Sequence, residues 1–173
     1  MRLIKKHIHE DFYSYDNPIV FERISARGII LDQEEILMIY TKRYNDYSFP
    51  GGGVDKGEEI KSGLIRELQE ETGALNIKIL KDFGVYEETT PTYYKGFDIL
   101  HMFSYFFICQ ADKKLGESHP EDYEIKNGSV PVWVNIHEAI AHNKKVIETK
   151  EKSMGMSIHR ETTVLELIAK ELL

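Results

Sequence analysis

An α/β fold is predicted for this chain by three features: β-rich runs stand before, between and after helical runs, one stretch has clear helical periodicity, and no linker divides the chain. Its 173 residues match the size of one domain that buries its own core, so residues 1–173 are expected to form a single domain. Residues 19–31 and 36–40 are β-rich and flank the polar Asp32-Gln33-Glu34-Glu35, which reads as a hairpin. A glycine-rich turn follows over residues 50–57. Residues 59–72 are predicted to be helical because Ile60, Leu64 and Leu68 recur at every fourth position, and Gly73 is placed to stop the helix. Strand-like runs return at residues 77–86, 97–109 and 130–134, while residues 136–142 and 160–173 read as helices.

A composition of 42% hydrophobic and 29% charged residues is that of a soluble globular protein, and no apolar run approaches the roughly 18 residues that a membrane span requires. The opening segment mixes charges into every apolar stretch and so lacks the core of a secretory signal, which leads to the expectation of a cytoplasmic protein with no membrane partner. The single cysteine, Cys109, lies in an apolar run and is expected to be buried as a small hydrophobe, which excludes an intrachain disulfide or a thiolate zinc cluster. A net charge of −7 argues against an extended nucleic-acid surface. If the substrate is a polyphosphate, so acidic a chain needs a divalent cation to bring the two together.

The chemistry concentrates between Gly52 and Ala74. On a helix turning 100° per residue, Glu67, Glu70 and Glu71 fall within an arc of roughly 100°, beside the apolar arc of Leu64, Ile65 and Leu68. Like charges three and four residues apart cost roughly 0.2–0.5 kcal/mol per pair, and two of these carboxylates stand at the helix end that prefers cations. A cluster that violates two local rules points to a compensating ligand. Several carboxylate oxygens at close range suit a hard cation such as Mg²⁺ or Mn²⁺. Taken alone, Glu-x-x-Glu-Glu is more often a solvated acidic face, and it is the surrounding spacing that decides.

That spacing is G-x5-E-x7-R-E-U-x-E-E-x-G-U, where U is a bulky aliphatic residue. It is met by Gly52, Glu58, Arg66, Glu67, Leu68, Glu70, Glu71 and Gly73, with Ala74 the one departure. This segment resembles the Nudix hydrolase family, and the preceding Phe49-Pro50-Gly51 and the flanking strands extend the resemblance. It implies an α/β/α sandwich with a mixed β-sheet. It also implies Mg²⁺- or Mn²⁺-dependent hydrolysis of the diphosphate linkage of a nucleoside diphosphate joined to another moiety, a small-molecule substrate. Within that frame Glu67, Glu70 and Glu71 hold metal, and Glu67 and Glu70 are favoured as catalytic base because they lie nearest the middle of the arc. Gly52, Glu58, Arg66 and Gly73 support the site, with Arg66 reaching back to Glu58 to fix the loop. Gly63 falls on the carboxylate arc about one turn before Glu67, where it either avoids crowding the site or is a tolerated helix glycine costing about 1 kcal/mol.

Outside the motif, a late acidic loop offers Glu121 or Glu124 as a further carboxylate, and Arg27 or Arg43 could meet substrate phosphates. His7-Ile8-His9 near the terminus reads as a surface feature, and His101 as a residue serving the fold. Pro91 and Tyr93-Tyr94 stand where the family's ADP-ribose and dinucleoside polyphosphate hydrolases carry their markers, so neither class is selected. Thr41-Lys42-Arg43 is faintly similar to coenzyme A hydrolases. For an oxidised nucleotide, Tyr47, Phe49, Tyr86 or Tyr93 could stack on the base. A homodimer stays open, as does a catalytically silent nucleotide-sensing domain, although such modules usually lose motif carboxylates and this chain retains them all.

Overall fold

The computed structural model describes residues 1–173. In chain order the elements are β1 (Leu3–Ile8), a 3-10 turn (Glu10–Ser14), β2 (Val20–Asp32), β3 (Glu35–Thr41), β4 (Asp46–Ser48), β5 (Gly51–Gly53), α1 (Ile60–Thr72), β6 (Lys78–Pro91), β7 (Ile99–Gln110), α2 (Asp122–Asn127), β8 (Ser129–Asn135), α3 (Ile136–Thr149) and α4 (Ile158–Leu172). The predicted hairpin forms with Asp32 opposite Glu35, so only Gln33 and Glu34 make the turn, and Gln33 takes a left-handed φ of 56°. The strands run β1-β6-β7-β2-β3-β4, with β5 on β2 and β8 on β3. Because β1 pairs with β6 and β7 with β2 in parallel while the other pairs are antiparallel, the sheet is mixed, as expected.

The two-residue alternation of the strands distributes their side chains to two cores. Ala26, Ile30 and Leu37 face α1 and pack with its Leu64 and Leu68, and with Phe107 and Cys109. Their neighbours Ile29, Ile36 and Met38 face the opposite way, where Ile136 and Ala139 of α3 and Val164, Leu165 and Ile168 of α4 close the second core. Helices therefore cover both faces, which gives the α/β/α sandwich. Full burial of Leu64 and Leu68 contributes about 1.5–3 kcal/mol each and fixes the rotation of α1, and with it the direction of the carboxylates. Gly28 permits this close seat, since a Cβ there would stand 2.9 Å from a methyl of Leu68. Cys109 is buried as predicted, and burial pushes its thiol up to about 12.

Asp46 is a buried acid that the sequence does not single out. Only 3% of it is exposed, and burial, together with the nearby Glu161 carboxylate, pushes its carboxyl up to about 7. This value lies above the ordinary one near 3.9 in the unfolded chain, so the folded state binds more protons and Asp46 costs stability as pH rises through about 7. Asp46→Asn is expected to raise stability at pH 8 by roughly 1–3 kcal/mol and to give no gain near pH 4. Melting curves of both proteins from pH 4 to 8.5 check this, and a gain independent of pH would contradict it.

Candidate active site

Helix α1 is bounded by its own sequence. The Glu59 carboxylate accepts the Ser62 N–H at 2.9 Å, and Gly73 ends the helix at φ 68° with its N–H on the Gln69 carbonyl. Gly73 also lies against Gly116, whose carbonyl oxygen would be 2.5 Å from a Cβ. The loop before the helix is held from three directions. The buried Glu161 of α4 accepts the Phe49 N–H at 3.0 Å, the Gly28 N–H reaches the Pro50 carbonyl at 2.9 Å, and Arg27 donates to the carbonyls of Phe49 and Gly51. Arg27 is thus a brace of the glycine loop, and its Nε is buried without a partner.

Each motif carboxylate has a defined neighbour. The Gly51 N–H donates to Glu71 Oε2 at 2.6 Å, while the Glu67 carboxylate lies so close to Gly52 that any Cβ there would collide with it. Arg66 grips Glu58 with two parallel bonds of 3.1 Å, the predicted loop clamp. Gly63 makes room for that clamp rather than for Glu67, Glu70 and Glu71, since its Cβ would stand 2.8 Å from Glu58 Oε2. Arg66 Nη1 also meets Glu67 at 2.7 Å and Glu70 at 3.1 Å. The three carboxylates therefore share one side of α1 but do not form a ready cage around one point. Two of them turn to the guanidinium that the motif itself supplies one and four residues away.

The late carboxylates separate. Glu121 and Glu124 belong to the start of the short helix α2 rather than to a loop: Glu121 is its exposed N-cap, and Glu124 is buried, accepting the Glu121 N–H at 2.7 Å. Glu124 stands beside Glu71. Burial holds the Glu71 carboxyl well above the ordinary carboxylate range; Arg27 opposes that shift and Glu124 reinforces it. Burial likewise raises Glu67 against the pull of Arg66, whereas the hydrogen bonds from Arg66 lower Glu58. Half-buried carboxylates that resist ionisation beside one another are suited to a positive ligand, and an all-oxygen donor set fits a hard divalent cation.

The other candidates lie apart from this cluster. Arg43 is exposed, donates to Asn127 at 3.0 Å and stacks on Tyr44. Of the aromatics considered for base stacking, Phe49 and Tyr86 are core residues with 0% and 2% exposure and Tyr47 packs against Tyr40 and His142, so Tyr93 alone stands free. His9 caps the 3-10 turn, and His101 bonds Glu87 at 2.9 Å on the sheet surface. A cavity of about 810 Å³ between β1, β6, α3 and α4, bordered by His7, Glu88, His159 and Arg160, contains none of the motif carboxylates. This cavity is therefore separate from the motif carboxylates.

The NUDIX domain family model matches residues 22–154. An RNA pyrophosphohydrolase of Campylobacter jejuni subsp. doylei is 33% identical over 116 residues, covering 61% of this chain and 70% of that protein. One from Wolbachia pipientis subsp. Culex pipiens is 27% identical over 151 residues, covering 76% and 91%. A NUDIX hydrolase structure from Nitrosomonas europaea shares the fold at a TM-score of 0.51 and 19% identity, over 72% of this chain and 79% of that one. The chain belongs to the NUDIX family. It is accordingly a hydrolase of diphosphate linkages, in a family that generally uses divalent metal ions. No helix is long and apolar enough to cross a membrane.

Proposed function

We propose that Glu67, Glu70 and Glu71, joined by Glu124, hold Mg²⁺ or Mn²⁺ against the glycine strand β5, and that the substrate is a nucleoside diphosphate linked to another group. The observation that carries this reading is the contact of Glu71 with the Gly51 N–H and of Glu67 with Gly52, which brings two half-buried carboxylates onto a strand whose own residues have no side chain to keep a ligand away. A cation held there would neutralise the diphosphate and lower the pKa of a bound water, so that its deprotonated oxygen could attack phosphorus. Glu67 or Glu70 takes the proton of that water. Burial raises the proton affinity of Glu67, which favours this role. Glu67 and Glu70 leave Arg66 at small cost, since half-exposed ion pairs contribute about 0–1 kcal/mol. Gly52, Glu58, Arg66 and Gly73 keep loop and helix in register, and Arg27 and Glu161 hold the loop from the other side.

We also take residues 1–173 as one domain, because β1 and the whole of α4, outside the matched segment, complete the sheet edge and the second core, and we take it to be cytoplasmic. A second substrate reading, the 5′ phosphorylated end of RNA, is favoured by what the similar Campylobacter and Wolbachia proteins are named for. Only the chain end would need to enter, so a net charge of −7 does not oppose it. The test is product release from ADP-ribose, a dinucleoside polyphosphate, coenzyme A, an oxidised nucleoside triphosphate and a 5′-triphosphorylated RNA oligonucleotide, with Mg²⁺, Mn²⁺ or a chelator. Turnover of one class that requires the cation is expected. Turnover indifferent to chelation, or none on any substrate, would contradict the proposal.

A further inference from the structure

Each of the three glycines of β5 lies against a charged side chain, and Gly51 against two, with Glu71 on its N–H and Arg27 on its carbonyl. Gly51 donates to Glu71, Gly52 abuts Glu67, and a Cβ on Gly53 would stand 2.8 Å from Arg23 Nη2. Arg23 differs from the other arginines near this loop in what it is bonded to. Arg66 is held by three carboxylates, Arg160 by two, and Arg27 by two carbonyls. Arg23 gives one N–H to the Tyr94 hydroxyl at 2.6 Å and has no acidic partner. Its positive charge is therefore not neutralised by the chain, although the chain as a whole carries −7. Tyr94 is itself fixed, packing edge-on against Phe21 at 5.0 Å, and Phe21 packs against Phe97 at the same separation.

We propose that Arg23, oriented by Tyr94, binds a phosphate oxygen of the diphosphate substrate at the Gly53 end of β5. This rests on the reading above, in which carboxylates hold a cation toward the Gly51 end. Gly51 and Gly53 are two residues apart on the strand, roughly 6.5 Å, so the carboxylates beside Gly51, with Arg27 braced on the loop carbonyls, and the unpaired Arg23 beside Gly53 flank one short stretch of backbone. A diphosphate laid along it meets the cation at one end and the guanidinium at the other. One of the five N–H donors of Arg23 is spent on the phenol, which aligns the planar fork and leaves the remaining donors for phosphate. Lysine would keep the charge and lose the fork.

The experiment uses the full chain with ADP as probe, by calorimetry both with Mg²⁺ and in chelator, alongside KM and kcat on the best substrate. Arg23→Ala is expected to weaken ADP binding and raise KM by roughly tenfold or more, with kcat changed less than about threefold and Tm unaltered. Arg23→Lys should recover part of the affinity, and Tyr94→Phe should lose roughly threefold. Unchanged ADP affinity and KM in Arg23→Ala would overturn the proposal, as would a loss of Tm and kcat at constant KM, the mark of a structural residue. Glu70→Gln in the same series keeps the two readings separate. If it is inactive while Arg23→Ala is normal, the carboxylate assignment stands and Arg23 falls. If it is fully active, the carboxylate assignment falls, and the ADP affinity measured in chelator still decides Arg23.

Discussion

Replacing Glu70 with Gln is expected to lower turnover by roughly 10²–10⁴ at saturating Mg²⁺, because the amide keeps the size of the side chain but neither binds a cation nor accepts a proton. Stability should barely move. Relief of like-charge repulsion at the end of α1 would by itself predict a small gain, but Glu70 is bonded to Arg66 at 3.1 Å with 45% of its side chain exposed. A pair so exposed is worth about 0–1 kcal/mol, so the two effects offset. A solvated acidic face predicts the same stability with full activity, and turnover is therefore the quantity that discriminates. Wild-type turnover in this variant would remove Glu70 from the site.

Arg160→Ala should give the largest loss of stability. Arg160 is 4% exposed and bonds Glu88 at 2.9 Å and Glu161 at 2.6 Å, and these partners are 8% and 0% exposed. Removing the guanidinium leaves two buried carboxylates uncompensated, at a cost of about 3–5 kcal/mol. For a chain of this size that lowers Tm by on the order of 10 °C. Activity should suffer as well, since Glu161 also holds the Phe49 N–H that anchors the glycine loop. A change in stability below about 1 kcal/mol would show that the network relaxes into solvent.

What could be read from the sequence was local. Helix α1, its Gly73 stop, the Arg66–Glu58 clamp and the hairpin at Gln33-Glu34 each follow from residues within a few positions of one another. Periodicity also gave the directions of the α1 side chains, but not their heads, because Arg66 draws Glu67 and Glu70 toward itself. Strand β1 was hidden because Lys5-Lys6-His7 breaks the alternation on a strand that is largely exposed. Position in the chain did not show that Glu124 turns in toward Glu71 while Glu121 turns out; a short helix decides it. The pairing of Arg23 with Tyr94 spans 71 residues and depends on the parallel register of β2 with β7, which no local pattern encodes. Phe49 and Tyr86 look like stacking candidates in the sequence because an aromatic in a strand-rich segment carries no mark of which face it takes; both face the core.

The central claim is that the carboxylate side of α1 holds a divalent cation against the glycine strand, and Mn²⁺ binding followed by the electron paramagnetic resonance signal of the free ion tests it most directly. Wild-type protein is to be compared with Glu71→Gln in the presence of ADP, since the amide oxygen still accepts the Gly51 N–H and only the charge is lost. The account predicts stoichiometric Mn²⁺ binding by the wild type and at least roughly tenfold weaker binding by the variant, with both proteins folded. Equal affinity in the two proteins, or no Mn²⁺ bound by the wild type, would contradict it.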